Sequence, residues 1–332
     1  MVDIVECRVI ITGALHFISA NFSFMANAEK PVRQKNWRKK IMRIFIVIVI
    51  LYVVLLAVLL LFENSLVYPD PGMRGDWQPA DVDFEEVMFK SEDGTTICAW
   101  FLPAPDSVET PENLLLCHGN GENVAMSTAH MGDKLRHLLG ANVLVFDYRG
   151  YGKSGGSSHE AGILLDAEAA MKWLNEKTGT SPDDVIVAGH SIGGGPACHV
   201  ASKLGAKALV LQRTFSSLTD AARSNFWFIP VDLLMSNRYP SAEKIKTCDR
   251  PLFQSHGDRD YLVPIKSGRK LFDSSPATHK TFYINRNKGH WDRLPDEYWA
   301  KLKQFVTAIN EAEPGQDSNR SSQRPETGNP QE

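Results

Sequence analysis

Three stretches of this chain carry side chains that could do chemistry together. VIVAGHSIGGG holds Ser191 between glycines, PLFQSHGDRDYLVP holds Asp258 and Asp260, and KTFYINRNKGHWD holds His290. A serine hydroxyl is a weak nucleophile at neutral pH. It needs a base to take its proton, an acid to orient that base and donors to hold the oxyanion that forms on attack. Ser191, Asp260 and His290 supply the first three types, and the chemistry they point to is acyl transfer through a covalent acyl-enzyme. Each has an ordinary reading when taken alone: a loop of small residues for Gly189-His190-Ser191-Ile192-Gly193, a solvated loop for His290. Their succession beyond three strand-like runs is harder to explain that way.

The serine pattern is G-x-S-x-G, which belongs to a sharp strand-to-helix turn. Its flanking glycines remove Cβ atoms that would clash, and the helix that follows brings free N–H groups to the same spot. Oxyanion donors are expected from the backbone N–H of Ile192 and from the loop His118-Gly119-Asn120-Gly121, with Asn120 the donor there. A plain turn is the competing reading of that loop.

These residues need elements to position them. Short apolar runs, FEEVMFK, TTICAWFL, NLLLCHG, NVLVFDY, VIVAGHS, KALVLQ, PLFQSHG and KTFYIN, read as strands. Patterns of period near 3.6, such as AMSTAHMGDKLRHLLG and LLDAEAAMKWLNEKTG, read as helices between several of them. The first two strands meet at SEDG, a hairpin signal, and the later alternation predicts parallel pairing through βαβ crossovers. Runs that are apolar throughout fit a sheet covered on both faces. The fold class is α/β, one domain, with each chemical residue beyond the C-terminal end of a strand, where open parallel sheets gather their sites.

At this point the chain resembles a known group. HGNG, DYRGYGKSGG, GHSIGG, HGDRDYLVP and GHWD, in that order, look like the α/β-hydrolase superfamily, and within it the single-span membrane hydrolases of the bud-emergence type, in the serine-aminopeptidase-like and esterase/lipase branch. The resemblance covers roughly residues 63–310, including ENSLVYPDP. It implies an α/β-hydrolase fold with a mostly parallel sheet of about eight strands and a small lid. It also implies Ser191 as nucleophile, His290 as general base and Asp260 as the acid, since the family pattern H-G-x-x-D-x-x-V-P falls on Asp260 and not on Asp258. His118, His190 and His256 stand at motif positions without proton-transfer roles, and Asp147, Tyr148 and Arg149 are expected to brace loops. Only 69 positions separate Ser191 from Asp260, too few for a large cap domain. Phe226 to Met235 (FWFIPVDLLM) is expected to show ordinary lid-to-core packing, with a small lid over the site or a surface that touches lipid as the alternatives.

Outside this domain, Ile44 to Phe62 has 19 residues without a charge. As a helix it would be about 28 Å long, close to the hydrocarbon thickness of a bilayer. Cations precede it (Lys30, Arg33, Lys35, Arg38, Lys39, Lys40, Arg43), while Glu63 and Asp70 follow with Arg74 the one nearby cation. That asymmetry predicts a cytoplasmic N-terminus and an extracytoplasmic catalytic domain, periplasmic, extracellular or lumenal. A cleaved signal peptide would have a shorter apolar region and an A-x-A-like site, so a retained anchor is expected. The expected layout is a basic leader over 1–43, a transmembrane helix over 44–62, the hydrolase domain over 63–310 and a disordered polar tail over 311–332. Residues 1–24 form no convincing domain, and Met25 reads as a more natural start.

A net charge of −3 argues against bulk electrostatic binding of nucleic acid. Cys7, Cys98, Cys117, Cys198 and Cys248 show no C-x-x-C spacing, so neither a zinc site nor a redox dithiol is indicated, and most are expected to be buried. No metal or organic cofactor is implied. The expected activity is a membrane-anchored serine hydrolase acting on an ester or thioester of an acyl-bearing substrate, a lipid or lipidated molecule in the bilayer, with protein partners unassigned. A serine peptidase and a non-catalytic hydrolase-fold binding protein are the alternatives.

Overall fold

The computed structural model describes residues 34–69 and 82–312. The expected leader up to residue 33, Asp70 and Arg74, and the polar tail from residue 313 lie outside the described residues. The chain divides into two units, residues 1–59 and 60–332.

The described residues of the first unit lie in one helix, α1 (Gln34–Leu61), whose last two residues belong to the second unit. It begins ahead of the charge-free run because Lys, Arg and Gln are good helix formers and carry the helix through the basic stretch. Its portion Trp37–Leu61 is 25 residues long and contains an 18-residue stretch of mean hydropathy 3.6, none of that stretch buried, so it is long and apolar enough to cross a bilayer.

The second unit opens with the short helix α2 (Glu63–Val67). The strands β1 (Glu85–Lys90), β2 (Thr96–Leu102), β3 (Glu112–Cys117), β4 (Ala141–Phe146), β5 (Val185–His190), β6 (Ala208–Gln212), β7 (Leu252–Gly257) and β8 (Lys280–Asn285) form one eight-stranded sheet in the order β1-β2-β4-β3-β5-β6-β7-β8. β1, β2 and β4 pair antiparallel, and every later pair is parallel. The expected α/β-hydrolase architecture is therefore observed.

Alternate residues of each run face opposite layers, as the strand period of two requires. Leu115, Val187 and Leu209 pack into one apolar cluster and Leu114, Ile186 and Val210 into another. The first is covered by α4 (Glu160–Thr178), through Ile163, Ala167 and Met171, and by α5 (Gly194–Lys203), through Ala197 and Ala201. The second is covered by α3 (Asp133–Leu139), through Leu135, and by α9 (Asp296–Ala312), through Tyr298, Leu302 and Phe305. Burial on both faces is why these strands read as unbroken apolar runs.

The helical pattern expected over 125–140 is not one continuous helix. A short turn of α-helix at Val124–Ser127 passes through a wider π-type turn at Thr128–Gly132 before α3 begins. Between β6 and β7 lie α6 (Leu218–Asn225) and α7 (Val231–Leu234), and α8 (Ile265–Ser274) precedes β8. The expectation that Phe226–Met235 packs on the core is corrected: Val231 is buried, but Trp227 and Leu233 are each 83% exposed. Arg238 explains the difference, because its guanidinium donates to the carbonyls of Asp232 and Met235 and holds the segment in a shape of its own. The four described cysteines, Cys98, Cys117, Cys198 and Cys248, are buried and free.

Candidate active site

The sharp turn expected at Ser191 is present. Ser191 has φ of 53°, in the left-handed region that an L-residue enters only at a cost of roughly 1–3 kcal/mol. It follows β5 directly, and a turn of 3-10 helix, Ser191–Gly193, leads into α5. Two glycines make this turn possible. A Cβ on Gly189 would stand 2.6 Å from the Gly193 carbonyl, and one on Gly193 would collide with the Cys117 carbonyl at the end of β3. The elbow therefore presses against the strand that leads into His118-Gly119-Asn120-Gly121.

Asp260 and His290 arrive from the loops after β7 and β8. His290 Nε2 lies 2.9 Å from Ser191 Oγ, and its Nδ1 lies 2.7 Å from Asp260 Oδ2. All three are buried. The other carboxylate oxygen, Oδ1, accepts hydrogen bonds from the backbone N–H groups of Leu262 (3.1 Å) and Val263 (2.8 Å), which fixes the carboxylate plane. With Oδ2 accepting from Nδ1–H, Nε2 is left free to accept from the serine hydroxyl. Asp258 is exposed and takes no part in this chain of contacts.

The loop carrying Asn120 is held by its side chain. Asn120 Nδ2 donates to the Val67 carbonyl (2.7 Å), and Tyr151 Oη donates to Asn120 Oδ1 (2.7 Å). Ile192 stands in the first turn after β5, where helical N–H groups have no partner within the helix.

His118, His190 and His256 are all buried. His118 Nδ1 meets the Gly119 carbonyl at 2.8 Å, and His256 Nε2 meets the Val263 carbonyl at 2.7 Å, so both brace the loops they introduce. His190 lies between Ser191 and Glu122, whose carboxylate is 3.7 Å from its Nδ1. Burial pushes the His190 pKa down to about 4, the nearby Glu122 charge notwithstanding. It is therefore neutral at neutral pH and places no second cation beside His290, 5.9 Å away ring to ring. Asp147 accepts from the Val124 N–H (2.8 Å), Tyr148 Oη donates to the His118 carbonyl (2.7 Å), and Arg149 pairs with Asp166 (2.8 Å) and Asp93 (2.6 Å). The bracing expected of these three residues is observed.

Arg213 was not singled out by sequence reasoning. It follows β6, is 3% exposed and has φ of 50°. Its guanidinium donates to the backbone carbonyls of His290 and Asp292, anchoring the base and the loop just after it. The signal for it in the sequence is a cation at the end of the apolar run ALVLQ, at the one central strand end with no assigned residue. Glu63 and Tyr68 were also passed over. Glu63 accepts from the N–H groups of Ser236 and Asn237 (both 2.8 Å), and Tyr68 Oη donates to Asn237 Oδ1 (3.0 Å). Among the described residues no group of three or more His, Cys, Asp or Glu is placed to hold a metal ion.

Residues 112–240 match the family model described as alpha/beta hydrolase fold. A Mycobacterium tuberculosis protein named only as uncharacterized is 31% identical over 207 residues, covering 62% of this chain and 72% of that one. Protein bem46 of Schizosaccharomyces pombe is 27% identical over 266 residues, covering 75% of this chain and 87% of the relative. Among solved structures, the Pyrococcus furiosus esterase Pf2001 superposes with a TM-score of 0.60 at 20% identity, covering 73% of this chain and 97% of its own, a likeness of fold. Family and fold together support a hydrolase.

Proposed function

This chain belongs to the α/β-hydrolase fold family, and from that premise we propose that it is a membrane-anchored serine hydrolase that cleaves an ester or thioester acyl bond. The observation that carries the reading is the unbroken contact line from Ser191 Oγ through His290 to Asp260, at 2.9 and 2.7 Å.

In this mechanism Ser191 Oγ attacks the acyl carbonyl as His290 Nε2 takes its proton. The imidazolium is stabilised by the Asp260 carboxylate, whose Oδ1 is held by two backbone N–H groups. The backbone N–H groups of Asn120 and Ile192 receive the oxyanion, and losing one such donor typically costs about 10²–10³ in rate. His290 then protonates the leaving alcohol or thiol. Water enters, His290 takes its proton, and collapse of the second tetrahedral intermediate frees the acid and Ser191.

The apolar length of Trp37–Leu61 supports anchoring in a bilayer, and the cation excess ahead of it supports a cytoplasmic N-terminus with the hydrolase domain on the opposite side. An acyl-bearing molecule held in the same membrane is the substrate this arrangement favours. Labelling with a fluorophosphonate probe tests the proposal. Wild-type protein should be labelled and Ser191→Ala should not; equal behaviour of the two proteins overturns it.

A further inference from the structure

Large apolar side chains stand exposed on the loops that carry this site's residues and on the segment after α6. Trp227 and Leu233 are each 83% exposed, Tyr261 82% and Trp291 69%, with Leu262 also exposed. They are attached to the working loops. Tyr261 and Leu262 follow Asp260 directly, and Trp291 follows His290, against whose ring it packs edge-on at 4.8 Å. Trp227 and Leu233 belong to the segment after α6, which is joined to the Asp260 loop where Asn225 Nδ2 donates to the Leu262 carbonyl (2.9 Å).

Burying such side chains against the core is ordinarily favourable, and a soluble protein seldom leaves so many together in water. In the segment after α6, side-chain bonds hold the backbone in place. Arg238 bonds the carbonyls of Asp232 and Met235, and Arg223 pairs with Asp232, so Leu233 is held outward.

Two observations bear on what this rim meets. First, the segment's far end is fastened to the chain leaving α1: Glu63, two residues beyond Leu61, accepts from the N–H groups of Ser236 and Asn237. Two residues of chain reach at most about 7 Å, so that end of the segment stays close to Leu61. Second, the exposed cations Arg259 and Arg293 stand two positions from Tyr261 and Trp291. Aromatic side chains beside arginines are the composition that settles at a bilayer–water boundary, rings among the acyl chains and cations at the headgroups.

We infer that Trp227, Leu233, Tyr261, Leu262 and Trp291 form a rim that enters the bilayer surface and opens the Ser191 site toward acyl chains in the lipid. The inference rests on the proposed membrane-anchored hydrolase and goes beyond it by assigning the surface that meets the membrane.

The test uses full-length protein reconstituted in phosphatidylcholine vesicles, with and without phosphatidylserine, as wild type, Trp227→Ser/Leu233→Ser and Trp227→Phe. Turnover is measured on a soluble acetyl ester and on a long-chain ester carried in the vesicles, and tryptophan quenching by brominated phosphatidylcholine is measured in parallel. The double variant should keep soluble-ester turnover within about two-fold and lose about ten-fold or more on the vesicle-borne ester, since partition into lipid follows the apolar area inserted. The bromolipid quenching due to Trp227 should vanish in Trp227→Phe. Equal loss on both esters, unchanged turnover on both, or quenching unaltered by Trp227→Phe overturns the inference, as does a change of oligomeric state that accounts for the loss. Wild-type protein that turned over neither ester would count against the hydrolase reading, while the quenching would still report on the rim.

Discussion

The carboxamide of Asn120 donates to the backbone carbonyl of Val67, 53 residues away in sequence, at 2.7 Å. The loop proposed to hold the oxyanion is thereby tied to the segment that follows the apolar helix. Tyr151 completes the hold through its hydroxyl. Asn120→Ala should lower kcat by about ten- to a hundred-fold with KM nearly unchanged, because the backbone N–H loses its placement while substrate binding does not depend on it. Steady-state kinetics on a chromogenic ester would check the split.

Two aspartates follow β7, and only one contacts the base. Asp260→Asn should reduce kcat by roughly 10⁴-fold by leaving His290 in the wrong tautomer. Asp258→Asn should stay within about two-fold of wild type, as an exposed substitution away from the contact line. Parallel kinetics of the two variants would separate them.

Arg213 reaches two carbonyls at once, on either side of Trp291. Lysine cannot reproduce that fork. Arg213→Lys should therefore lower kcat about ten-fold or more by loosening His290, and lower Tm by several degrees through the carbonyl left unpaired. Calorimetry alongside the kinetics would read both effects.

Asp147 gives the domain a pH dependence of stability. Burial raises its pKa to about 7, against the hydrogen bond from Val124 N–H that lowers it. Between the ordinary carboxylate range and that value the folded state binds a proton that the unfolded state has released. Stability contributed by this group is present at low pH and is lost as pH rises through about 7. Asp147→Asn should be the more stable protein at pH 8 by up to a few kcal/mol, with the difference vanishing near pH 4. Urea unfolding across that range would show the two curves converging.

Much of this could be read from the chain alone, for physical reasons that particular residues make plain. Strands such as Val185–His190 are buried on both faces, so they advertise themselves as apolar runs ended by glycine. Ser191, Asp260 and His290, which the structure brings together, are legible because each follows such a run. Arg213 and Glu63 were not legible in the same way. Their contacts depend on which strand ends become neighbours and on where a distant segment docks, and neither follows from local spacing. The segment Phe226–Met235 misled for a related reason: its apolar composition predicts burial, and only Arg238 bonding back across it shows how the backbone holds those side chains out.

The central claim is that Ser191 carries the acyl group. Rapid quenching of the protein with an activated acetyl ester, followed by peptide mass mapping, tests it most directly. The account predicts an acetyl group on the peptide containing Ser191, formed at the rate of the first turnover and absent from Ser191→Ala, which should be inactive. Turnover with no acyl adduct at Ser191, or a Ser191→Ala protein as active as wild type, would contradict it.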